Sequence, residues 1–570
     1  MIQTAKSQIA HLLKDLTHLP LEDLQKSLER PKQFGHGHLA FPVFALAKSL
    51  RMAPPQIAAD LAQKIQGRIQ DGGVLVLEKV EAVGGFLNFT FKDSYLQNIL
   101  FESLQKEQVG FSQYGRHKTV IIDYASPNVA KPMHVGHLRA AMLGQAIRNL
   151  AVSQSFHVIG VNHLGDWGSQ FGKLAWAYQE WGQEYDFKNP IDDLLKLYVR
   201  FHDEVEKTPE LEKLGSATFK KLEDGDPEIK KIWQMIVDYS MKDYDRLLIG
   251  FLNVKHDKVL GESFYNDKMD QVVDLLQRKG LLQESEGAQV VFFDEKENMP
   301  PCIIKKSDGA SIYATRDLAA ALYRHDVMKG DELLYVVGQD QSLHFRQIFK
   351  VLEMMGYEWA KDCHHIAFGL YRFKDGKMST RQGKVVLFED VIRQAVELVQ
   401  KMINEKNPGL ENKELVAKQV ALGAVIFNDL MNDRMKNVEF DWDRILSVEG
   451  DSGPYVQYTV VRCKSILRKY GKAAPVASSL DLSLEEERSL VFQLLQFEDI
   501  LAGAYKQYRP NILAQYLLEL CGSFSHFYHK CRILGEAPEV EASRISLVAA
   551  TEKILVQGLR ILNIEAPEAM

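Results

Sequence analysis

Cysteine is scarce in this sequence: five in 570 residues, an odd number with no Cys-x-x-Cys pair. That excludes a disulfide framework and points to a reducing, cytoplasmic compartment. No run of 18 or more apolar residues occurs, which excludes a membrane-spanning helix. The opening Met1-Ile-Gln-Thr-Ala-Lys-Ser-Gln8 has no basic leader followed by an apolar core, so no export signal is expected. Internal repeats and low-complexity tracts are missing too. There is no excess of basic charge: 69 Lys and Arg against 76 Asp and Glu give a net charge of −7. A global nucleic-acid signature is therefore lacking, yet large enzymes bind RNA through local patches, so the total decides nothing.

What is present is ordinary globular material, 46% hydrophobic and 25% charged. The length is too great for one core and calls for two to four domains. Residues 1–110 read as a small α+β domain. Helical periodicity runs through Ser7–Leu16, Leu21–Leu28, Ala45–Leu50 and Pro55–Gln66, followed by strand-like runs Val74–Val83 and Phe86–Phe91 around a Gly84-Gly85 turn. A linker helix of roughly twenty residues then ends near Gly110.

Residues 111–386 alternate strands and helices, which predicts a doubly wound parallel α/β sheet of Rossmann type. Strands are expected at Val120–Ala125, His157–Val161, Val290–Phe293, Ile312–Ala314, Leu333–Val337 and His365–Leu370. The charged, helical stretch 185–285 reads as an insertion between the halves of the sheet. Residues 387–449 form a helical connector and 450–570 an all-helical domain. Breaks fall at Asn407-Pro-Gly, Gly450–Pro454, Gly471–Pro475 and Arg509-Pro510.

The chemistry concentrates in Ser126-Pro-Asn-Val-Ala-Lys-Pro-Met-His-Val-Gly-His-Leu-Arg139. An apolar strand precedes it and a helical segment follows, the layout that grips phosphates in nucleotide-binding folds. His134 and His137 share one helix face and can donate hydrogen bonds to phosphate oxygens, while Gly136 admits a ligand close to the backbone. The plain alternative is a helix entry that happens to carry two histidines.

A second cluster, Lys377-Met378-Ser379-Thr380-Arg381-Gln382-Gly383-Lys384, suits a polyphosphate, because its cations neutralise charge building on a leaving group. Taken alone it is also a common solvated basic turn. A third, Lys305 to Ala320, is expected as a short strand ending near Tyr313 and then a helix with Asp317 in its first turn. Asp317 is either a helix-start acid that complements the dipole or a ligand at the carboxyl edge of the sheet, where doubly wound folds bind. Asp123 ends its own strand and would point into the same crevice. The polar turns Asn162-His-Leu-Gly-Asp-Trp-Gly168 and Gly338-Gln-Asp-Gln-Ser-Leu-His344 end on that edge as well, and their agreement describes a site.

Two other clusters look chemical but read as structural. Gly35-His-Gly-His38 echoes the signature without a preceding strand and reads as a surface turn. Cys521, His526, His529 and Cys531 resemble a metal box in composition. On one helix Cys531 joins the apolar stripe of Leu517, Leu520, Phe524, Phe527 and Tyr528. His526 and His529 point away and Cys521 lies near the edge, so the four cannot converge on an ion.

Together these motifs resemble the class I aminoacyl-tRNA synthetases, and within them the arginine-specific family. Asn-His-Leu-Gly-Asp-Trp-Gly-Ser-Gln-Phe-Gly, Tyr-Ala-Thr-Arg-Asp-Leu-Ala, Gly-Gln-Asp-Gln and Lys-Met-Ser-Thr-Arg-Gln-Gly follow the signature in that family's order. Gly453-Pro-Tyr-Val-Gln-Tyr458 and the helical tail resemble its anticodon-binding domain, and the first hundred or so residues its tRNA-elbow-contacting domain.

The resemblance implies an arginine–tRNA ligase acting with L-arginine, ATP and tRNA-Arg as partners. Mg2+ would be carried by the nucleotide, with no protein-bound zinc, and the enzyme is expected to be a cytoplasmic monomer. It implies that His134, Gly136, His137, Lys377, Met378 and Ser379 hold the nucleotide, with His134, His137, Lys131 and Lys377 catalytic. Thr380 stands where the class loop has a second lysine, and Lys131 is implied to take over that charge. Arginine activation is implied to need tRNA.

Asp123, Ser126, Asn128, His137, Tyr313, Asp317 and Gln341 are the expected arginine contacts, since a planar guanidinium calls for carboxylates and paired hydrogen bonds. A site of that kind rejects analogues lacking the donors, so no proofreading domain is expected. The rival readings are a non-catalytic tRNA-binding paralogue and an unrelated nucleotidyltransferase sharing His-x-Gly-His.

Overall fold

The computed structural model describes residues 3–29, 31, 36–70, 76–307, 313–373, 386–474 and 480–570. They form two compact units. One unites 1–112 with 456–506 and 512–560; the other holds 113–455, 507–511 and 561–570.

The N-terminal segment contributes α1 (Gln3–Thr17), α2 (Leu21–Ser27), β1 (Leu39–Pro42), α3 (Ala47–Leu50), α4 (Pro54–Gln70), β2 (Leu77–Val83), β3 (Phe86–Phe91) and α5 (Asp93–Gln105). Its sheet is antiparallel in the order β1-β3-β2, turned at Gly84-Gly85 as the glycine pair predicts. β1 is an addition: four residues are too few for a periodic signal, and the strand exists because β3 offers it a partner edge. That pairing corrects the surface-turn reading of residues 35–38, of which Gly35 lies outside the described residues. His38 is buried, accepts the Phe91 N–H on Nδ1 at 2.9 Å, and packs its ring on Phe91 and Phe492. The linker helix α5 has 13 residues, fewer than expected.

The second unit carries β4 (Thr119–Asp123), α6 (Val135–Ser153), β5 (His157–Asn162), α7 (Ser169–Trp181), α8 (Pro190–Lys207), α9 (Glu210–Glu223), α10 (Pro227–Leu248), β6 (Lys258–Val259) and α11 (Met269–Arg278). It continues through β7 (Gln283–Ser285), β8 (Ala288–Val291), β9 (Cys302–Lys305), α12 (Tyr313–Asp326), β10 (Glu332–Tyr335), α13 (Ser342–Met354), β11 (Cys363–His365) and β12 (Tyr371–Phe373). α14 (Phe388–Lys406), α15 (Lys413–Leu430), β13 (Val438–Phe440) and α16 (Trp442–Ile445) complete it.

A five-stranded parallel sheet in the order β11-β10-β4-β5-β6 is its centre, doubly wound with the switch point between β4 and β10. α6 lies close on the sheet because Gly144 has no side chain: a Cβ there would stand 2.3 Å from that of Tyr124.

Four expectations need correcting here, the first being His365–Leu370, which meets the parallel sheet only at His365 because β11 spans Cys363–His365. Val290–Phe293 was expected in the parallel sheet, but β8 belongs to a separate antiparallel trio with β7 and β9. The cause is the two-residue turn Glu286-Gly287, both at positive φ, which permits only a hairpin. Tyr313 begins a helix and does not end a strand, so Asp317 lies four residues in, beyond the first turn. The insertion also ends earlier than 285. β6 joins the sheet, and Val272, Val273 and Leu276 of α11 share its core with Ile121, Val161 and Leu333. α11 looked like insertion only because its outer face is charged.

The chain closes with α17 (Gly453–Tyr470), α18 (Glu485–Leu495), α19 (Phe497–Lys506), α20 (Pro510–Lys530) and α21 (Pro538–Ile561). From residue 456 these helices join the N-terminal segment: Gln97 accepts the Leu480 N–H, and Lys553 Nζ donates to the carbonyls of Leu104 and Lys106. Cys521 and Cys531 are buried, and His526 and His529 are exposed. Cys521 thus lies inside the apolar stripe, which stops short of the 40% exposed Tyr528. No helix among the described residues is long and apolar enough to cross a membrane.

Candidate active site

β4 runs out at Asp123 beside the switch point, in register with Tyr335 of β10. The chain then makes a cramped turn, with Ala125, Ser126 and Ala130 all at positive φ. Non-glycine residues hold such angles only when their surroundings impose them. Here Ser126 Oγ donates to Asp123 Oδ1 at 2.6 Å and accepts the His163 N–H at 3.1 Å. From α10 of the insertion, Tyr244 Oη donates to the Asn128 and Lys131 carbonyls at 2.6 and 2.9 Å, and Ser240 Oγ accepts the Ala130 N–H at 2.9 Å. The insertion thus braces the back of the loop that carries the signature.

His134 is the N-cap of α6. Its Nδ1 accepts the Gly136 N–H at 3.0 Å, and its own backbone N–H donates to His137 Nδ1 at 3.2 Å. The ring centroids lie 3.9 Å apart, with the planes inclined at 30°. Gly136 also gives the His134 ring its room, since a Cβ there would stand 2.9 Å from His134 Cε1. Because both Nδ1 atoms accept, the neutral rings carry their protons on Nε2.

Neither Nε2 is hydrogen-bonded within the protein among the described residues. Burial, followed by the neighbouring Lys131, lowers the His134 pKa; burial, followed by His134, pushes His137 down to about 3. The result is two uncharged N–H donors at the positive end of a 19-residue helix.

Arg139, one turn on, is buried and donates to the carbonyls of Gly369 at 2.6 Å, Lys436 at 3.0 Å and Arg434 at 3.2 Å. Its Nε stands 3.3 Å from Asp429 Oδ1. These contacts tie α6 to the strand segment before residue 374. On the far side of the undescribed stretch, Val135 and Phe388 exchange backbone hydrogen bonds with Val386 and Met133 at 3.2 and 3.0 Å. Lys377, Met378 and Ser379 lie outside the described residues, but both arms of their segment are anchored on the signature helix.

The expected arginine contacts divide. Asp123 is buried and engaged: Arg324 Nη2 donates to its Oδ2 at 2.7 Å, and Ser126 holds the other oxygen. Although burial alone would raise its pKa, Arg324, His163 and Ser126 outweigh that and lower it. Asp317 is a quarter exposed, with Oδ2 2.6 Å from His344 Nε2 and Oδ1 4.0 Å from His163 Nε2. Asn128, Tyr313 and Gln341 are exposed at the same sheet edge, and among the described residues none of them hydrogen-bonds to either carboxylate. Arg324, His163, His344, Arg139 and Tyr244 were not singled out from the sequence, although the polar turns ending on this edge contain two of them.

Residues 96–442 match the family described as tRNA synthetases class I (R), catalytic domain. Residues 3–91 match the arginyl tRNA synthetase N terminal domain, and 456–570 the DALR anticodon binding domain. The chain belongs to the class I arginyl-tRNA synthetase family. It is 45% identical over 569 residues to an arginine–tRNA ligase of Clostridium beijerinckii, covering 99% of this chain and 100% of the relative. With the Clostridioides difficile ligase the identity is 43% over 576 residues, covering 100% of both. The Thermus thermophilus arginyl-tRNA synthetase structure is similar over 100% of both chains, with a TM-score of 0.83 and 27% identity.

Family membership accounts for the doubly wound sheet, the small N-terminal domain and the helical C-terminal region described above.

Proposed function

We propose that the chain is an arginine–tRNA ligase that works in two steps. The carboxylate of L-arginine attacks the α-phosphate of ATP, expelling pyrophosphate and forming arginyl-adenylate. The 2′-hydroxyl of the terminal adenosine of tRNA-Arg then takes the arginyl group and AMP leaves. Full-length identity of 43–46% to arginine–tRNA ligases supports the overall reaction.

The observation that carries the site assignment is the mutual capping of His134 and His137. It leaves two neutral Nε2–H donors directed away from the helix backbone, suited to phosphate oxygens whose charge grows in the transition state. Lys131, exposed on the braced loop before them, supplies the positive charge that Thr380 does not. Lys377, Met378 and Ser379 complete the nucleotide grip with Gly136.

Asp317 is the carboxylate that receives the substrate guanidinium, with Tyr313 and Gln341 beside it and Asn128 towards the α-amino group. Asp123 and Ser126 shape the floor. Magnesium enters with the nucleotide. The N-terminal domain, residues 1–110, contacts the tRNA elbow; 387–449 follow the acceptor stem; 450–570 read the anticodon. The enzyme acts as a cytoplasmic monomer.

ATP–pyrophosphate exchange across the amino acids, run with and without tRNA, tests this reading. Exchange driven by arginine above all others is expected. Exchange driven equally well by another amino acid, or none even with tRNA present, would overturn it.

A further inference from the structure

Asp317 is a singular carboxylate within its neighbourhood. Among the described residues no lysine or arginine lies within ion-pair distance of it. The adjacent Arg316 is turned away, donating to Glu262 Oε2 at 3.0 Å and Asn266 Oδ1 at 3.4 Å. The other nearby guanidinium, Arg324, is consumed by Asp123. What faces Asp317 instead is two imidazoles.

Their donor roles follow from geometry. Arg324 Nη2 approaches His163 Nδ1 at 3.4 Å, and because a guanidinium only donates, that nitrogen accepts and the proton of the neutral ring sits on Nε2. This N–H stands 4.0 Å from Asp317 Oδ1, too far to hydrogen-bond. The close partner is His344, whose Nε2 is 2.6 Å from Oδ2. His344 lies in the first turn of α13 beside Phe345, a buried ring wedged against Tyr335 and His365. The core therefore fixes the His344 backbone, and its ring packs edge-on against Phe345 at 5.5 Å, while among the described residues His344 is the hydrogen-bond partner of the Asp317 carboxylate.

We propose that His344 is a positioning residue for arginine recognition: it holds Oδ2 of Asp317 and fixes the carboxylate plane that meets the substrate guanidinium. This rests on the reading of Asp317 as the arginine carboxylate. A bidentate guanidinium–carboxylate pair is planar, so an acceptor already held in plane binds without losing torsional freedom. His344 takes one lone pair and leaves the others for the substrate.

The test is aminoacylation of tRNA by the full chain, with arginine and ATP varied separately. Loss of a hydrogen bond to a charged group corresponds to about a tenfold change or more. His344→Ala is therefore expected to raise the arginine KM about tenfold or more, with kcat and the ATP KM little changed. His344→Gln is expected to restore the arginine KM, because its Nε2 can occupy the place of the imidazole Nε2.

If Asp317→Ala raises the arginine KM and His344→Ala does not, the positioning role is wrong and the reading of Asp317 stands. If Asp317→Ala leaves the arginine KM unchanged, the reading of Asp317 itself is wrong. If His344→Ala and His344→Gln both depress kcat and raise both KM values alongside a lowered melting temperature, the residue is merely structural and the proposal fails.

Discussion

Arg324 closes Asp123: Nη2 stands 2.7 Å from Oδ2, and both side chains are almost wholly buried. Of the two carboxylates expected to meet arginine, Asp123 is therefore answered by a buried cation, whereas Asp317 is held by His344 and stays a quarter exposed. The pair predicts a division of labour. Asp123→Asn leaves the Arg324 charge buried and uncompensated, a situation that costs about 3–5 kcal/mol. Its main effect is expected on the urea midpoint. Asp317→Asn is expected to keep the midpoint and raise the arginine KM more than tenfold, on the order of a lost charge-assisted pair. A larger KM effect for Asp123→Asn would show that the substrate displaces Arg324.

The histidine pair separates capping from chemistry. Asn at position 134 retains an acceptor where Nδ1 was and lacks the Nε2–H. His134→Asn should melt near the parent temperature while adenylate formation slows by about 10²–10³-fold, the scale of one transition-state donor. His134→Ala should lose a further ~1 kcal/mol of stability with its cap. Full activity in the asparagine variant would remove Nε2 from the mechanism.

Lys131 is exposed, and Tyr244 holds only its carbonyl. Lys131→Ala is accordingly expected to leave folding intact and slow pre-steady-state pyrophosphate release by about 10²-fold. An unchanged burst refutes the charge-replacement role.

Acid should destabilise the fold through buried neutral histidines. Burial pushes His38 and His256 down from 6.5 to about 4. Between those values the unfolded chain binds protons that the native state refuses, so stability falls as pH drops from 6.5 towards 4. For His38 the loss is on the order of 3 kcal/mol at the lower end. His38→Asn, which keeps an acceptor for the Phe91 N–H, should flatten the dependence of the urea midpoint on pH. An unaltered slope would assign the effect elsewhere.

The site was legible where its chemistry is local in sequence. His134, Gly136 and His137 form one contiguous motif, and His344 closes a polar turn that follows β10, whereas Asp317 sits within a helix. The engagement of Asp123 was not legible, because Arg324 lies 201 residues away on α12 and reads there as an ordinary helix cation. The same distance blindness hid the burial of His38, which depends on pairing between β1 and β3. Patterning by charge misplaced α11: a helix that buries one narrow face against the sheet looks, residue by residue, like part of the polar insertion before it.

The tautomer set by the capping pair also bears on turnover. On the proposed reading, further cations in the places of the two imidazoles, beside Lys131 and Lys377, would grip the departing pyrophosphate more tightly and slow its escape. Two uncharged imidazoles would instead strengthen their hydrogen bonds as charge accumulates and hold the departed product weakly once it carries its own ions and water. A protein that fixes both protons on Nε2 by folding thus favours product release as well as bond breaking.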